Sequence, residues 1–562
     1  MDRPNIMTYE PLVWSCADLL IGAGIKQSDF PAFMMPYLAL MMLESRMLRY
    51  KNMLLKEEIT DEQDIEWEFK QSSIGYNPII VKSGVTVSDL VKSEATFLRD
   101  WEQYLAGFDP EIQKLLGYNR GSSDEKFLDI SGISAQLLKK GILYPTVALW
   151  SRVDLSAYNN SEITTLEEHI KRKWADISAT TAGEQYTPDD IIQLIGEIVC
   201  SKIENKPMGF TSLYDPTCGG GNLLFGVADA ISRNVTHKTV VTKGVDWNDA
   251  LYALASIESR FREESEIQHA NTLVKNPYHD KVFDVVVANP PYGVNWKGYQ
   301  KEINSLANGW YPFKPSVSDG QLLFTQHITN QMNPNGIAVV VHNGSTLFSG
   351  GAGSGESNIR KHFLDQDWVE ALIQLPGDEF FNTGITTYLW VLNKAKAPER
   401  KDKVMLIDAS ADYTLLRKSK GKKRVEVDAA QRAKIVELLA HYEETENAKI
   451  FSKYHFYYNY QAVNLAPLDD NGKPLKGGKK VKDYEIIPYL PDEEENKQGI
   501  TRFLEEHLHG RPYTLGDNKV GVEINFNKVF YQPTELPSVA SLLSEIKAID
   551  TELTQLYNEL GL

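Results

Sequence analysis

Apolar and polar residues alternate in two different ways along this chain. Over residues 1 to about 175 the apolar positions recur on broad helical faces, as in PAFMMPYLALMMLESRMLRY and in LEEHIKRKW from Leu166. The charged stretch LKEEITDEQDIEWEFKQ reads as a solvated surface of that helical region. From about Tyr186 the pattern changes, and short apolar runs alternate with helix-like segments. YTPDDIIQLIGEIVC predicts a helix with Thr187 as N-cap, Pro188 at the first helical position and two acids behind it. The expected strands are Ser212–Tyr214, Gly244–Asp246, Ile267–Ala270, Phe283–Ala288, Gly336–His342, Val369–Gln374 and Thr386–Leu392. Strands alternating with helices predict an α/β, doubly wound fold: a mostly parallel seven-stranded sheet covered on both faces, with ligands beyond the carboxyl ends of its strands.

After about Lys394 the pattern weakens. Leu416–Arg424 and Gly472–Asp483 are basic, glycine-containing loops, open to two readings: solvated surface, or contact with a nucleic-acid backbone. Upstream, GGAGSGES (Gly350–Ser357) reads as a flexible loop. In the tail, Leu542, Ile546, Ile549, Leu553, Leu556 and Leu560 are spaced 4, 3, 4, 3, 4, an a/d seam that either packs on its own domain or zips to another helix. The expected division is a helical N-terminal domain over 1–175, a catalytic domain over 176–410, and a C-terminal region over 411–562 with a helical tail for subunit contact.

Composition narrows the class. The chain has 562 residues, 42% of them apolar and 24% charged, as in ordinary globular proteins. No apolar run approaches the roughly 20 residues of a membrane span, and the N-terminus has no secretory pattern. Cys16, Cys200 and Cys218 are too few and too scattered for a disulfide framework or a zinc site, which fits a reducing cytoplasm. The net charge of −17 makes the chain a poor stand-alone DNA binder, so a nucleic-acid role would need local basic patches or a basic partner.

Chemistry concentrates at four successive strand ends. YDPTCGGGNLL (Tyr214–Leu224) is a strand end, a glycine turn and a helix start. It meets neither the GxGxxG dinucleotide pattern nor the GK[ST] of a phosphate loop. Asp246 ends the next strand, where an acid suits a ribose diol. Asn271 follows the third, where its amide could meet an adenine edge. Together these predict a pocket for an adenosine-bearing cofactor. The fourth strand runs into Asn289-Pro290-Pro291-Tyr292. The prolines stop the strand and hold Asn289 extended. The Asn289 side chain and the Pro290 carbonyl offer two acceptors to an exocyclic NH2 group, and Tyr292 offers a flat face. The long segment after it interleaves Trp296, Tyr299, Trp310, Tyr311 and Phe313 with lysines, as nucleic-acid contact loops do, and suggests a lid over the target base.

The order GEQYTP, DPTCGGG, NPPY resembles the amino-group DNA methyltransferases that use S-adenosylmethionine. More narrowly, DGQLLFTQHITNQMNPNGIAVVV, ALIQLPGDEFFNTGITTYLWVLNK and VEINFNKVFY resemble the modification subunit of type I restriction–modification systems. The resemblance implies that Tyr186, Thr187 and Pro188 line the methionine end of the cofactor. It implies that Asp215, Thr217, Cys218, Gly219 and Gly221 form the cofactor turn, Asp246 holds the ribose and Asn271, where relatives usually carry Asp, meets the adenine. It also implies methylation of adenine N6 in double-stranded DNA, a separate specificity subunit, a second copy of this chain, and a translocase–nuclease restriction subunit. A base inside a duplex must flip out to be reached, and catalysis is then positioning without a metal. The motif alone leaves open cytosine N4, RNA or a protein glutamine as the acceptor, and a non-catalytic scaffold of a defence complex.

Overall fold

Runs of β-branched residues with no polar alternation become the middle of a sheet buried on both faces. In the computed structural model these are β4 (Phe283–Ala288), β5 (Met332–Asn343) and β7 (Thr387–Asn393), and Val285–Ala288, Ala338–Val341 and Leu389–Leu392 are fully inaccessible. The structure describes residues 5–26, 29–118, 127–158, 166, 187–205, 209–260, 262, 264–306, 309–381, 383–420, 422–469, 472–475, 477, 479–531 and 538–560. They form two compact units, Met1–Ile524 and Asn525–Leu562.

Around those strands lie β1 (Gly209–Asp215), β2 (Lys238–Asp246), β3 (Ser265–His269), β6 (Val369–Gln374) and β8 (Lys403–Asp408), with β11 (Ala448–Ser452) at the edge. The sheet order is β11-β8-β6-β7-β5-β4-β1-β2-β3. The expected seven strands are thus extended to nine. β8 pairs parallel to β6, and β11 closes the edge antiparallel to β8. β7 is antiparallel to both neighbours, and the other pairs from β5 to β3 are parallel. Both added strands are short and follow a change to charged sequence, so the weakened pattern after Lys394 hides them. The same stretch holds a hairpin, β9 (Thr414–Lys420) with β10 (Lys423–Glu426). It also holds a three-stranded antiparallel sheet, in which β12 (Tyr457–Leu465) lies between β13 (Val481–Pro488) and β14 (Tyr513–Val522).

Alternate residues of each central strand serve different layers. Val285, Val287, Val339 and Val341 join one core with Ile191, Ile195, Leu223 and Val227 of the helices Asp189–Ile203 and Asn222–Asn234. The N-terminal helices build a second core around the helix Phe30–Lys56, whose residues Met34–Leu43 are almost entirely buried. Ala253, Leu254 and Ile257 of the helix Asp249–Ser259 belong to that second core, so a helix of the sheet layer also seats the helical region. Among the described residues, no helix is long and apolar enough to cross a membrane.

Two local expectations change. The helix after Thr187 starts one residue later, at Asp189, with Pro188 as N-cap and no side-chain cap. GGAGSGES is a loop only as far as Ser354: Gly355–Ser357 begin the helix Gly355–Asp365, capped by the Ser354 hydroxyl accepting from Ser357 N. Gly355 is needed there because a Cβ would collide with the Lys314 carbonyl oxygen. LEEHIKRKW, apart from Leu166, lies outside the described residues.

Candidate active site

Four neighbouring strand ends make one wall. In chain order they carry Asp215, Asp246, Asn271 and Asn289, but the sheet order β4-β1-β2-β3 sets them in the row Asn289, Asp215, Asp246, Asn271. At about 4.8 Å per strand, the row spans the length of a nucleoside with an amino-acid tail. The crevice lies at the switch between β1 and β4, where a doubly wound sheet opens.

The glycine turn is stitched to the next strand. Cys218 N donates to Val245 O at 3.0 Å and Gly219 N to Asp246 Oδ2 at 2.9 Å. The other carboxylate oxygen of Asp246 accepts from Asn248 N at 2.8 Å. Thr217 N donates to Asp215 Oδ1 at 2.9 Å. Gly221 has φ +93° and is the N-cap of the helix Asn222–Asn234; a Cβ there would meet both strain and the Phe225 ring. Burial raises the Asp215 carboxyl to about 8, with the Thr217 N–H partly offsetting it and the Asp246 charge adding to it. Burial likewise pushes the Cys218 thiol well up, away from the thiolate form.

A cavity of about 260 Å³ opens along the row. Thr187, Asp215, Thr217, Cys218, Gly219, Asp246, Asn271, Asn289 and Pro291 line it; Pro188, Gly221, Pro290 and Tyr292 do not, and Tyr186 lies outside the described residues. Tyr292 is 9% exposed and packs into the sheet core, and its hydroxyl meets no hydrogen-bond partner among the described residues. The Asn271 side-chain oxygen accepts from Leu273 N at 3.1 Å, so part of the amide closes its own turn.

Asn289 Nδ2 donates to Thr187 Oγ1 at 3.0 Å. This bond explains the late helix start, since the Thr187 hydroxyl is taken by Asn289 and does not cap the helix. It also orients the carboxamide, turning the acceptor oxygen away from Thr187.

The segment after Tyr292 is not an open aromatic lid. Trp296 and Tyr311 are 1% and 2% exposed and pack with Leu273, Ile303, Leu323 and Phe324 in a small core of their own. Tyr311 OH lies 3.3 Å from His327 Nδ1, and His327 Nε2 lies 3.2 Å from both Thr272 Oγ1 and Tyr214 OH. Burial lowers the His327 pKa to about 3, so the imidazole is neutral and braces the cavity wall at Thr272. Sequence reading missed Trp247, Thr272 and Phe324, which also line the cavity, as does Tyr299 of the expected lid segment. The signal for Trp247 was its place directly after Asp246, and it is 67% exposed, an aromatic face beside that carboxylate.

The cavity suits a particular kind of ligand. Two carboxyl groups line it, and no lysine or arginine among the described residues does. With Asp215 protonated below about 8, the Asp246 charge is what repels a pyrophosphate and attracts a cation. Residues 162–463 match the N-6 DNA Methylase family. This chain belongs to that family.

Curated relatives agree with that membership, and a solved structure shares the fold. The methylase is 25% identical over 447 residues to the type I restriction enzyme MpnII methylase subunit of Mycoplasma pneumoniae, covering 73% of this chain and 80% of the relative. It is also 25% identical over 432 residues to the MjaVIII methylase subunit of Methanocaldococcus jannaschii, covering 72% and 70%. Its fold resembles the type I restriction–modification methyltransferase subunit from Streptococcus thermophilus, with a TM-score of 0.61 and 23% identity over 81% of this chain and 97% of that one. The methylase is therefore a DNA methyltransferase by family.

Proposed function

We propose that this methylase transfers the methyl group of S-adenosylmethionine to N6 of a flipped-out adenine, as the modification subunit of a type I restriction–modification complex. The carrying observation is the Thr187–Asn289 hydrogen bond beside an acid-lined, adenosine-sized crevice. The cofactor fits that crevice by charge: it is a cation, and Asp215 and Asp246 line the wall. When bound, it supplies an electrophilic methyl group. Asp246 and Trp247 hold the ribose and one face of the adenine, Asn271 meets the adenine edge, and the turn Asp215–Gly221 with Thr187 holds the methionine end.

The chain's own part in the transfer is orientation. Adenine N6 is a weak nucleophile because its lone pair is delocalised into the ring. The Asn289 carboxamide oxygen and the Pro290 carbonyl accept its two hydrogens and favour a localised lone pair aimed at the methyl. Tyr292, packed in the sheet core, offers no open stacking face and backs the turn that carries these acceptors. Family membership favours adenine in DNA over cytosine N4, RNA or glutamine, and the intact acid and amide row favours an enzyme over a scaffold.

The partners follow from charge and from the tail. With a net charge of −17, sequence recognition falls to a separate specificity subunit that docks DNA, with a second copy of this chain and, in the restricting form, a translocase–nuclease subunit. The tail helix Val539–Leu560 exposes all six seam residues, from 43% at Leu542 to 72% at Leu560, as a helix awaiting a partner helix does. The test is transfer of labelled methyl to DNA, with and without the specificity subunit. Asn289→Ala is expected to abolish transfer with cofactor still bound. No transfer by the wild type under either condition overturns the reading.

A further inference from the structure

The net negative charge hides a single-sign patch at the catalytic edge. Leu416–Arg424 holds six lysines and arginines within nine residues. It is not a loose loop: it forms most of the β9–β10 hairpin. Strand alternation sends Lys423 and Val425 inward, 3% and 5% exposed, and leaves Lys422 and Arg424 exposed, with Arg417 exposed on β9.

The hairpin is held at two points. Lys422 N and Arg424 N each donate at 2.9 Å, to Phe381 O and Asp378 O, in the segment that follows β6. Lys423 Nζ reaches the two Asp190 carboxylate oxygens at 2.9 and 3.1 Å and pairs with the buried Glu379. Asp190 Oδ2 also accepts from Val427 N at 2.8 Å. A buried lysine is costly unless it is paired this fully, and such pairing fixes a geometry.

That geometry points at the site. β6 and β4 run the same way, because β7 is antiparallel to both β6 and β5 and β5 is parallel to β4. The segment after β6 therefore lies at the same edge of the sheet as Asn289. Asp190 is three residues beyond Thr187, the partner of Asn289. Three strand spacings separate β6 from β4, roughly 14 Å at about 4.8 Å each. At 3.4 Å per base step along one strand, that is about four base pairs.

We propose that the Thr414–Glu426 hairpin is a duplex-DNA contact, in which Arg417, Lys422 and Arg424 hold phosphates about four base pairs from the flipped adenine. This rests on the methyltransferase reading above. Charge decides the occupant: three exposed cations on a strand pair anchored by Lys423, in a chain of net charge −17, match a phosphate backbone. Their contacts carry no sequence information, which leaves readout to the specificity subunit.

The test uses the full chain assembled with its specificity subunit. Wild type is compared with the triple variant Arg417→Gln, Lys422→Gln, Arg424→Gln for DNA affinity across a range of salt. The variant is expected to bind target and non-target DNA more weakly by a similar factor, and its salt slope to be shallower by about three. Cofactor affinity and subunit assembly should not change. An unchanged slope overturns the proposal, and so does loss of assembly, which would make the hairpin a protein-docking surface. Failure of the wild type to methylate DNA would instead sink the functional reading itself. A second variant, Lys422→Cys, does not depend on affinity. The three native cysteines are buried, so the new thiol is the reactive one. It should cross-link to DNA carrying a disulfide tether about four base pairs from the target adenine, and much less to a tether placed a full helical turn away. Equal cross-linking at both positions, or at neither, counts against the contact.

Discussion

The active-site row and the tail helix use apolar sequence in opposite ways. In the row, apolar strands are buried on both faces and only their ends reach solvent, so Asp215, Asp246, Asn271 and Asn289 are placed by the chain's own core. In the tail, Leu542, Ile546, Ile549, Leu553, Leu556 and Leu560 follow a pattern just as regular, yet all are exposed. The difference is what each needs in order to be complete. The row finds its partners within the chain, down to the Thr187 hydroxyl that orients Asn289. The tail presents an apolar stripe whose burial requires a second surface. One region is complete within the chain, and the other presents an apolar stripe that the chain leaves exposed.

The comparison is broken most directly by cutting it. Truncation after Thr534 should abolish assembly with the specificity subunit while cofactor titration by calorimetry stays unchanged. A complex of normal mass by light scattering would show that the tail is not the assembly element. Asn289→Ala is the mirror experiment, with transfer lost and the complex intact.

A smaller effect sharpens the idea that the row is self-supporting. Thr187→Val removes one oriented hydrogen bond at nearly constant volume. It should lower kcat about ten- to a hundredfold, the range expected for losing one such bond in a water-poor site. Thr187→Ser should restore most of the rate. A rise in the cofactor KM with kcat unchanged would mean that Thr187 serves the cofactor and does not position Asn289.

The smallest effect concerns pH. The Asp215 carboxyl, raised to about 8 by burial, holds its proton below that value. A cationic cofactor favours the carboxylate, so binding releases the proton. Affinity should therefore rise with pH up to about 8 and then level off, by at most about tenfold per unit. In Asp215→Asn the component due to this group should vanish, leaving a flatter profile. An identical slope in that variant would place the proton elsewhere.

Some of this was legible without a structure. Phe283–Ala288 ends where the prolines end it, because a residue without an N–H cannot continue a ladder. The seam of the tail was legible from spacing alone. Other readings failed for identifiable reasons. Glycine and serine in GGAGSGES signal a loop, and Gly350–Ser354 stay outside the helix, but Gly355 belongs to it and serves a close approach to Lys314. Trp296 and Tyr311 have the composition of a contact loop, yet they fill a core, since an aromatic ring serves either use. The two basic stretches look alike in sequence. The fold folds one into a hairpin anchored at the catalytic edge and runs the other into β13 of the separate three-stranded sheet.

By itself, the sequence determined what local chemistry controls: the strand that stops at Asn289, the turn that needs glycine, the heptad spacing of the tail, and the family motifs. Only the tertiary structure decided adjacency. In sequence, Asn289 comes last, well beyond the residues expected to hold the ribose and adenine. In the sheet, β4 lies on the far side of β1 from β2, so Asn289 stands next to Asp215. The same step brings Thr187 onto Asn289 across 102 residues. No local pattern encodes such a pairing, because strand order is set by how the helices cover both faces of the sheet.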